Sequence, residues 1–310
     1  MPTHHSASKH WVITGGAGFI GSHVVKALLL QNQKVTVLDD FSSSSMAALQ
    51  DIRSQIRIIR GSILDPKKLH LAFKDTHYVV HLAAVASVAE SFQNPAATLQ
   101  TNVEGTAYVL QQAHLAGVKK VLLMSSSSVY GMGGKSARKE TSRLNPLSPY
   151  AISKLLGEEL GMFYAQNYGL DVVIARGFNI YAPNQPALSS YAAVLAQWSQ
   201  RAKEDQALRV NGDGLQTRDF LHVQDTARAL LKIVKKGKTG QVYNVGSGKS
   251  VTLLKVVKLL EKAVQKPLKI SFQAPRVGDV RYSRADIRKL RALGFAPTIS
   301  LEKGLKDFFD

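Results

Sequence analysis

Tyr150 and Lys154 are four positions apart, one turn of a helix, so on a helical segment their side chains point the same way. An ammonium beside a phenol stabilises the phenolate and draws the tyrosine pKa down from about 10 toward working pH, which makes Tyr150 a candidate general base. Such a pair is common on ordinary surface helices. It gains weight from a glycine cluster upstream, Gly15-Gly16-Ala17-Gly18-Phe19-Ile20-Gly21, between a short apolar run at 11–14 and a helical pattern at 18–31. There Gly15 permits a tight turn, Gly18 lets the backbone approach a pyrophosphate, and Gly21 lets helix and strand pack closely. The helix N-terminus offers the anion free N–H groups and a partial positive charge. Asp39 follows 18 residues past Gly21, at the end of the next strand-like run. A carboxylate there accepts hydrogen bonds from adenosine ribose hydroxyls and repels a 2′-phosphate. No arginine follows directly, so the loop is expected to hold NAD in preference to NADP.

Positioning these residues takes alternating strands and helices, and the chain has that rhythm. Runs at 11–14, 34–38, 55–60, 78–82, 121–124 and 172–175 read as strands, with helices at 66–73, 95–116 and 149–168. Uninterrupted apolar strands between amphipathic helices imply a parallel sheet covered on both faces, and right-handed crossovers make it doubly wound. After about residue 177 the rhythm loosens. Proline and glycine mark loops at 182–186 and 211–215, helices are expected at 189–202, 223–235, 252–263, 284–293 and 301–309, and a strand at 242–245. The expected fold class is α/β, a doubly wound parallel sheet of the Rossmann type with a smaller α+β substrate-binding domain. The expected division is 1–177 with about 219–245 for the dinucleotide-binding domain, and 178–218 with 246–310 for the smaller one.

The 310 residues, 45% hydrophobic and 20% charged, suit a soluble globular enzyme with ample core. With no cysteine, disulfides, thiolate metal sites and thiol nucleophiles are excluded, and a cytoplasmic location is expected. The first ten residues, with His4, His5 and His10, read as a loose, solvated tail rather than a metal site, and no metal is expected. No run reads as a membrane span. The net charge of +18 favours anionic partners. The lysines at 255, 258, 262, 266 and 269 and the basic residues between 281 and 291 read as solvated helix faces. No aromatics interleave with them to stack bases, so nucleic acid is not the expected partner.

The chain resembles the extended short-chain dehydrogenases, and most of all the UDP-glucose 4-epimerase group. The resemblance rests on TGGAGFIGSH at 14–23, HLAA at 81–84, SSSSVYG at 125–131, YAISK at 150–154 and RGFNIYAP at 176–183, in order. QTRDFLHV at 216–223, YNVGSG at 243–248 and RVGDVRYSRAD at 276–286 extend it over almost the whole chain. The resemblance implies a catalytic set of Ser126, Tyr150 and Lys154, with Ser126 bonding the sugar oxygen and Lys154 also holding the nicotinamide ribose. It implies cofactor contacts from Gly15, Gly18, Phe19, Ile20, Gly21, Asp39, Ser62, Ile63, Leu82, Ala83, Ala84 and Asn102, with Ser62 standing where an adenine-binding Asp is common. On the substrate side it implies Arg218 and Arg276 at a diphosphate, Asn179 beside it, Asp279 at the nucleoside ribose and Ser283 at a gating position near the sugar C2 substituent.

The implied reaction is epimerisation at C4 of a nucleotide-activated sugar through a 4-keto intermediate, with NAD as cofactor. The substrate is expected to be a UDP-hexose or UDP-N-acetylhexosamine, a small Ser283 leaving room for an N-acetyl group. Ser127 and Ser128 occupy the positions of the Asp-Glu pair of sugar 4,6-dehydratases, which argues against water elimination. The alternatives are an epimerase of UDP-uronic acids, an NDP-sugar reductase, distinguished by stoichiometric NADH consumption, and a non-sugar oxidoreductase of the same fold, which would have no use for Arg218 and Arg276. A non-catalytic binding protein using the basic surface is a fourth. The resemblance also implies a homodimer, paired through the helices at 95–116 and 149–168.

Overall fold

The computed structural model describes residues 8–183, 185, 193–275 and 280–309. Strands β1 (His10–Thr14), β2 (Lys34–Asp39), β3 (Arg57–Arg60), β4 (Tyr78–His81), β5 (Lys120–Ser126) and β6 (Val172–Gly177) alternate with α1 (Phe19–Leu29), α2 (Pro66–Phe73), α3 (Val88–Gln93), α4 (Pro95–Leu99), α5 (Gly105–Leu115) and α6 (Pro149–Asn167). There follow β7 (Asn179–Tyr181), α7 (Ala193–Lys203), β8 (Leu208–Asn211), β9 (Thr217–Arg218), β10 (Phe220–His222), α8 (Val223–Lys236), β11 (Gln241–Val245), β12 (Val251–Thr252), α9 (Leu253–Val264), β13 (Ile270–Gln273), α10 (Arg288–Ala292) and α11 (Leu301–Lys306).

Seven strands form one sheet in the order β11-β6-β5-β4-β1-β2-β3, and every pairing is parallel. Successive β1 residues feed opposite cores: Trp11 and Ile13 pack with Val24, Leu28, Leu230 and Ile233, while Val12 packs with Phe73, Leu110 and Ile174. A strand buried on both faces has no solvent side to keep polar, which is why these runs carry no alternation. The order reverses at β1, whose neighbours are β2 and β4. The loops leaving β1 and β4 therefore diverge and open a crevice at the C-terminal strand ends. A third core joins Trp198, Leu208, Val210, Val256, Leu260 and Phe308 around the short pairs β8–β13 and β9–β12.

The structure departs from the sequence reading in several places. His10 is not part of a loose tail: it opens β1, buried, with Nε2 2.8 Å from Thr36 Oγ1. The helix expected at 95–116 is interrupted by a π turn at Gln100–Glu104, which lets Asn102 turn inward. The helix expected at 284–293 shrinks to Arg288–Ala292, because Arg284 and Asp286 give their backbone groups to Arg138 instead. Of the helix expected at 189–202, the described part starts at Ala193, and the short strands β7 to β10, β12 and β13 carry too few residues to show a period. His4, His5, Arg276 and Asp279 lie outside the described residues. No helix among them is long and apolar enough to cross a membrane.

Candidate active site

A crevice of about 1060 Å³ follows the reversal point of the sheet. Gly15, Gly18, Phe19, Ile20 and Gly21 line its floor together with Asp39, Ser62, Ile63, Leu82, Ala83 and Ala84. Gly15 has φ +68°, and a Cβ on it would stand 2.7 Å from the Ala83 nitrogen. A Cβ on Gly21 would stand 2.1 Å from the Gly15 carbonyl oxygen, so the turn and the first helical turn interlock only without side chains. Gly18 caps α1 with no side-chain hydrogen bond, leaving the helix N-terminus to the crevice. The Asp39 carboxylate accepts from the Ala17 N–H (2.8 Å), the Phe41 N–H (2.9 Å) and the Ser44 hydroxyl (2.8 Å), which fixes it beside the loop. A pyrophosphate-sized cradle, a helix N-terminus and a braced carboxylate fit a dinucleotide. The Ser62 hydroxyl accepts from the Leu64 N–H at 3.1 Å. Asn102 does not line the crevice. It accepts from the Val85 N–H (2.8 Å) and donates to the Val85 carbonyl (3.0 Å) and to Ser153 (2.9 Å), tying a crevice-lining segment to α6.

Helix α6 carries the reactive end. Ser148 caps it by accepting from the Ala151 N–H at 3.1 Å, and Pro149 occupies the first turn, where its missing N–H costs nothing. Tyr150 and Lys154 then face the end of β5. Three successive turns of α6 hold three successive β5 residues: Tyr150 is hydrogen-bonded with Ser126, Lys154 Nζ donates to the Met124 carbonyl at 3.0 Å, and Glu158 takes the Ser125 hydroxyl. Ser126, Tyr150 and Lys154 all line the crevice. Ser126 Oγ also accepts from the Ser128 N–H at 3.2 Å, closing the turn at Ser127–Tyr130.

The electrostatics differ from the simple pair expected. Burial pushes the Tyr150 phenol above its ordinary value, with the Ser126 hydrogen bond working against it. Lys154 does not pull it down: its Nζ lies 5.8 Å from the ring centroid and is committed to a carbonyl. Burial pulls the Lys154 ammonium down to about 8, opposed by Glu158. A half-desolvated lysine beside a neutral phenol is poised to respond to whatever charge enters the crevice.

Asn179, Arg218 and Ser283 line the far bank. Both the Asn179 N–H (3.1 Å) and its side-chain amide (3.2 Å) donate to the Asp219 carbonyl. The buried Asp219 carboxylate accepts from Ser247, Gly248 and Ala285, so one side chain fixes two loops. Arg218 donates to the Thr217 (2.8 Å) and Val280 (2.6 Å) carbonyls. The sequence reading missed Asp219, Arg138 and Tyr282. Asp219 sits inside QTRDFLHV, where its burial has no local signal, and Arg138 and Tyr282 lie in stretches without periodicity.

Residues 11–246 match the NAD dependent epimerase/dehydratase family. The UDP-glucose 4-epimerase of Mycolicibacterium smegmatis is 34% identical over 95% of this chain and 95% of its own. Among solved structures, UDP-N-acetylglucosamine 4-epimerase from Methanobrevibacter ruminantium M1, in complex with UDP-N-acetylmuramic acid, superposes with a TM-score of 0.93 at 34% identity, covering 98% of this chain and 99% of that one. UDP-glucose 4-epimerase of Thermus thermophilus, solved as its NAD complex, gives 0.90 at 30% identity, covering 97% and 98%.

Proposed function

Because the chain belongs to the NAD-dependent epimerase/dehydratase family, we propose that it is an NAD-dependent UDP-sugar 4-epimerase working in the crevice beneath α6. The observation that carries the reading is the convergence of Ser126, Tyr150 and Lys154 on that crevice, with Ser126 hydrogen-bonded to the phenol. The UDP shared by the similar enzymes supports a UDP-sugar.

In this reading Gly15, Gly18 and the α1 N-terminus hold the pyrophosphate of NAD, and Asp39 its adenosine ribose. Bound there, NAD supplies the hydride acceptor and donor. Tyr150 acts as the phenolate, having given up its own proton once the crevice is filled, with the Lys154 ammonium as its counter-charge. As that base it takes the sugar O4 proton through the Ser126 hydroxyl, while the Lys154 bond to the Met124 carbonyl holds this turn of α6 against β5. The proton returns from Tyr150 once the 4-keto sugar has presented its other face. Asn179 and Arg218 hold the diphosphate, with Arg276 and Asp279 assigned to the same bank from sequence alone. Ser127 and Ser128 provide neither the acid nor the base that water elimination requires.

We assign residues 1–177 and about 219–245 to the cofactor domain, and 178–218 with 246–310 to the substrate domain. A homodimer through α6 is supported by Ile152, Leu156 and Phe163, which are 42 to 50% exposed along one stripe. The cysteine-free composition supports a cytosolic location. The deciding experiment is incubation with UDP-, GDP- and dTDP-sugars, with product configuration read by NMR. The expected result is a C4-inverted UDP-sugar without net NADH consumption. Stoichiometric oxidation of added NADH would make the protein a reductase.

A further inference from the structure

The crevice contains a cation that the reaction above does not use. The Arg138 backbone is clamped: its N–H donates to the Arg284 carbonyl (2.8 Å), and its own carbonyl accepts from the Asp286 N–H (2.8 Å) and the Asn244 side chain (2.8 Å). These bonds fix Arg138 alongside Ala285, and Arg138 lines the crevice with Ser126, Ser127 and Ser128. The side chain folds over Gly133. A Cβ on Gly133 would fall 1.2 Å from Arg138 Nη2, so the guanidinium fills the space that any side chain there would need. Gly133 lies just past the turn at Ser127–Tyr130 that carries the reactive serine face. Arg138 Nη2 is buried with no hydrogen-bond partner, and among the described residues no carboxylate pairs with Arg138. Ser128 Oγ, on the same turn, is also buried and unpartnered. Buried polar groups left this way are costly unless a ligand supplies what they lack.

We propose that Arg138, helped by Ser128, binds a carboxylate at C6 of the sugar, and that the substrate class is a UDP-activated uronic acid. The inference rests on the UDP-sugar reading. Tyr150 and Ser126 set O4 at the serine turn. The ring atoms flanking C4 are C3 and C5, so the substituents within reach of that turn are O3 and C6. The diphosphate, on C1, lies across the ring and cannot reach it. A neutral C6 hydroxyl leaves the half-desolvated guanidinium without a counter-charge. A C6 carboxylate meets its planar fork with paired hydrogen bonds, and the Ser128 hydroxyl adds a third donor.

The test compares kcat/KM for 4-epimerisation of UDP-glucuronic acid and of UDP-glucose, with products read by NMR, in the wild type, Arg138→Met and Arg138→Lys. The wild type is expected to favour UDP-glucuronic acid by at least about tenfold. Arg138→Met is expected to lower the uronate-to-hexose ratio about 100-fold, and Arg138→Lys by less, because it keeps the charge and loses the fork. A wild type that prefers UDP-glucose, or a ratio unchanged in Arg138→Met, overturns the assignment and leaves the epimerase reading standing. A wild type that epimerises neither these two nor any other sugar of the panel overturns both. Should Arg138→Met melt as an unfolded chain, the wild-type preference alone decides.

Discussion

Arg176 on β6 grips both carboxylate oxygens of Glu158 on α6, Nε to Oε1 at 2.9 Å and Nη2 to Oε2 at 2.6 Å, with both side chains buried. Arg176 also donates to the Tyr130 hydroxyl (3.0 Å), which in turn donates to Asn244 Oδ1 (2.6 Å) on β11. One helical turn beyond Lys154, the pair with Tyr130 and Asn244 links α6, β6 and β11. The pair braces α6 against β6, and Glu158 keeps a negative charge near the lysine.

Glu158→Gln removes that charge and keeps the shape. Glu158 raises the Lys154 pKa, so its loss is expected to move the lysine below about 8 and shift the alkaline limb of kcat/KM to lower pH. Removing one partner of a buried pair also costs roughly 3–5 kcal/mol. A pH–rate profile and a thermal melt of the same variant check both, and an alkaline limb that stays in place contradicts the coupling.

Tyr150→Phe keeps the ring and deletes the hydroxyl. Loss of a positioned acid–base group is expected to lower kcat by roughly 10²–10⁴-fold with KM little changed. Steady-state epimerisation assays report this, and near-wild-type turnover would remove Tyr150 from the chemistry.

Asp39→Asn removes the charge and keeps one acceptor oxygen, which can serve Phe41 and Ser44 or Ala17 but not all three donors. NAD affinity is expected to fall about tenfold, and the gap between NAD and NADP to narrow. Calorimetric titration with each dinucleotide measures it; an unchanged NAD affinity would place the ribose elsewhere.

His81 is buried between Thr14 and Thr106, and burial pulls its pKa from 6.5 to about 3. The unfolded chain takes up that proton first, so the stabilisation is complete above about 6.5 and drains as pH falls toward 3. His10, His23 and His222 are lowered in the same direction. The melting temperature is expected to be flat near neutrality and to fall steeply below about pH 6, less so in His81→Asn. A melting temperature independent of pH between about 4 and 7 would contradict this.

Phe163→Asp places a charge in the exposed apolar stripe of α6, where Phe163 is 50% exposed. Light scattering is expected to give a dimer for the wild type and a monomer for the variant. A monomeric wild type would retire the interface.

The glycine loop, the Tyr150–Lys154 spacing, Asp39 and the uninterrupted strands were legible in the chain, because each depends on neighbours in sequence: a turn needing φ > 0, a helical turn, a period. What the chain could not disclose is what meets across the fold. Glu158 reaches Arg176, Asp219 gathers the loops at Ser247 and Ala285, and Arg284 abandons its expected helix to pair with Arg138, all through contacts between distant segments. The direction of the Tyr150 shift belongs with them. Spacing alone brings a lysine near a phenol, but desolvation is set by everything packed around the pair, and here it outweighs the Ser126 hydrogen bond.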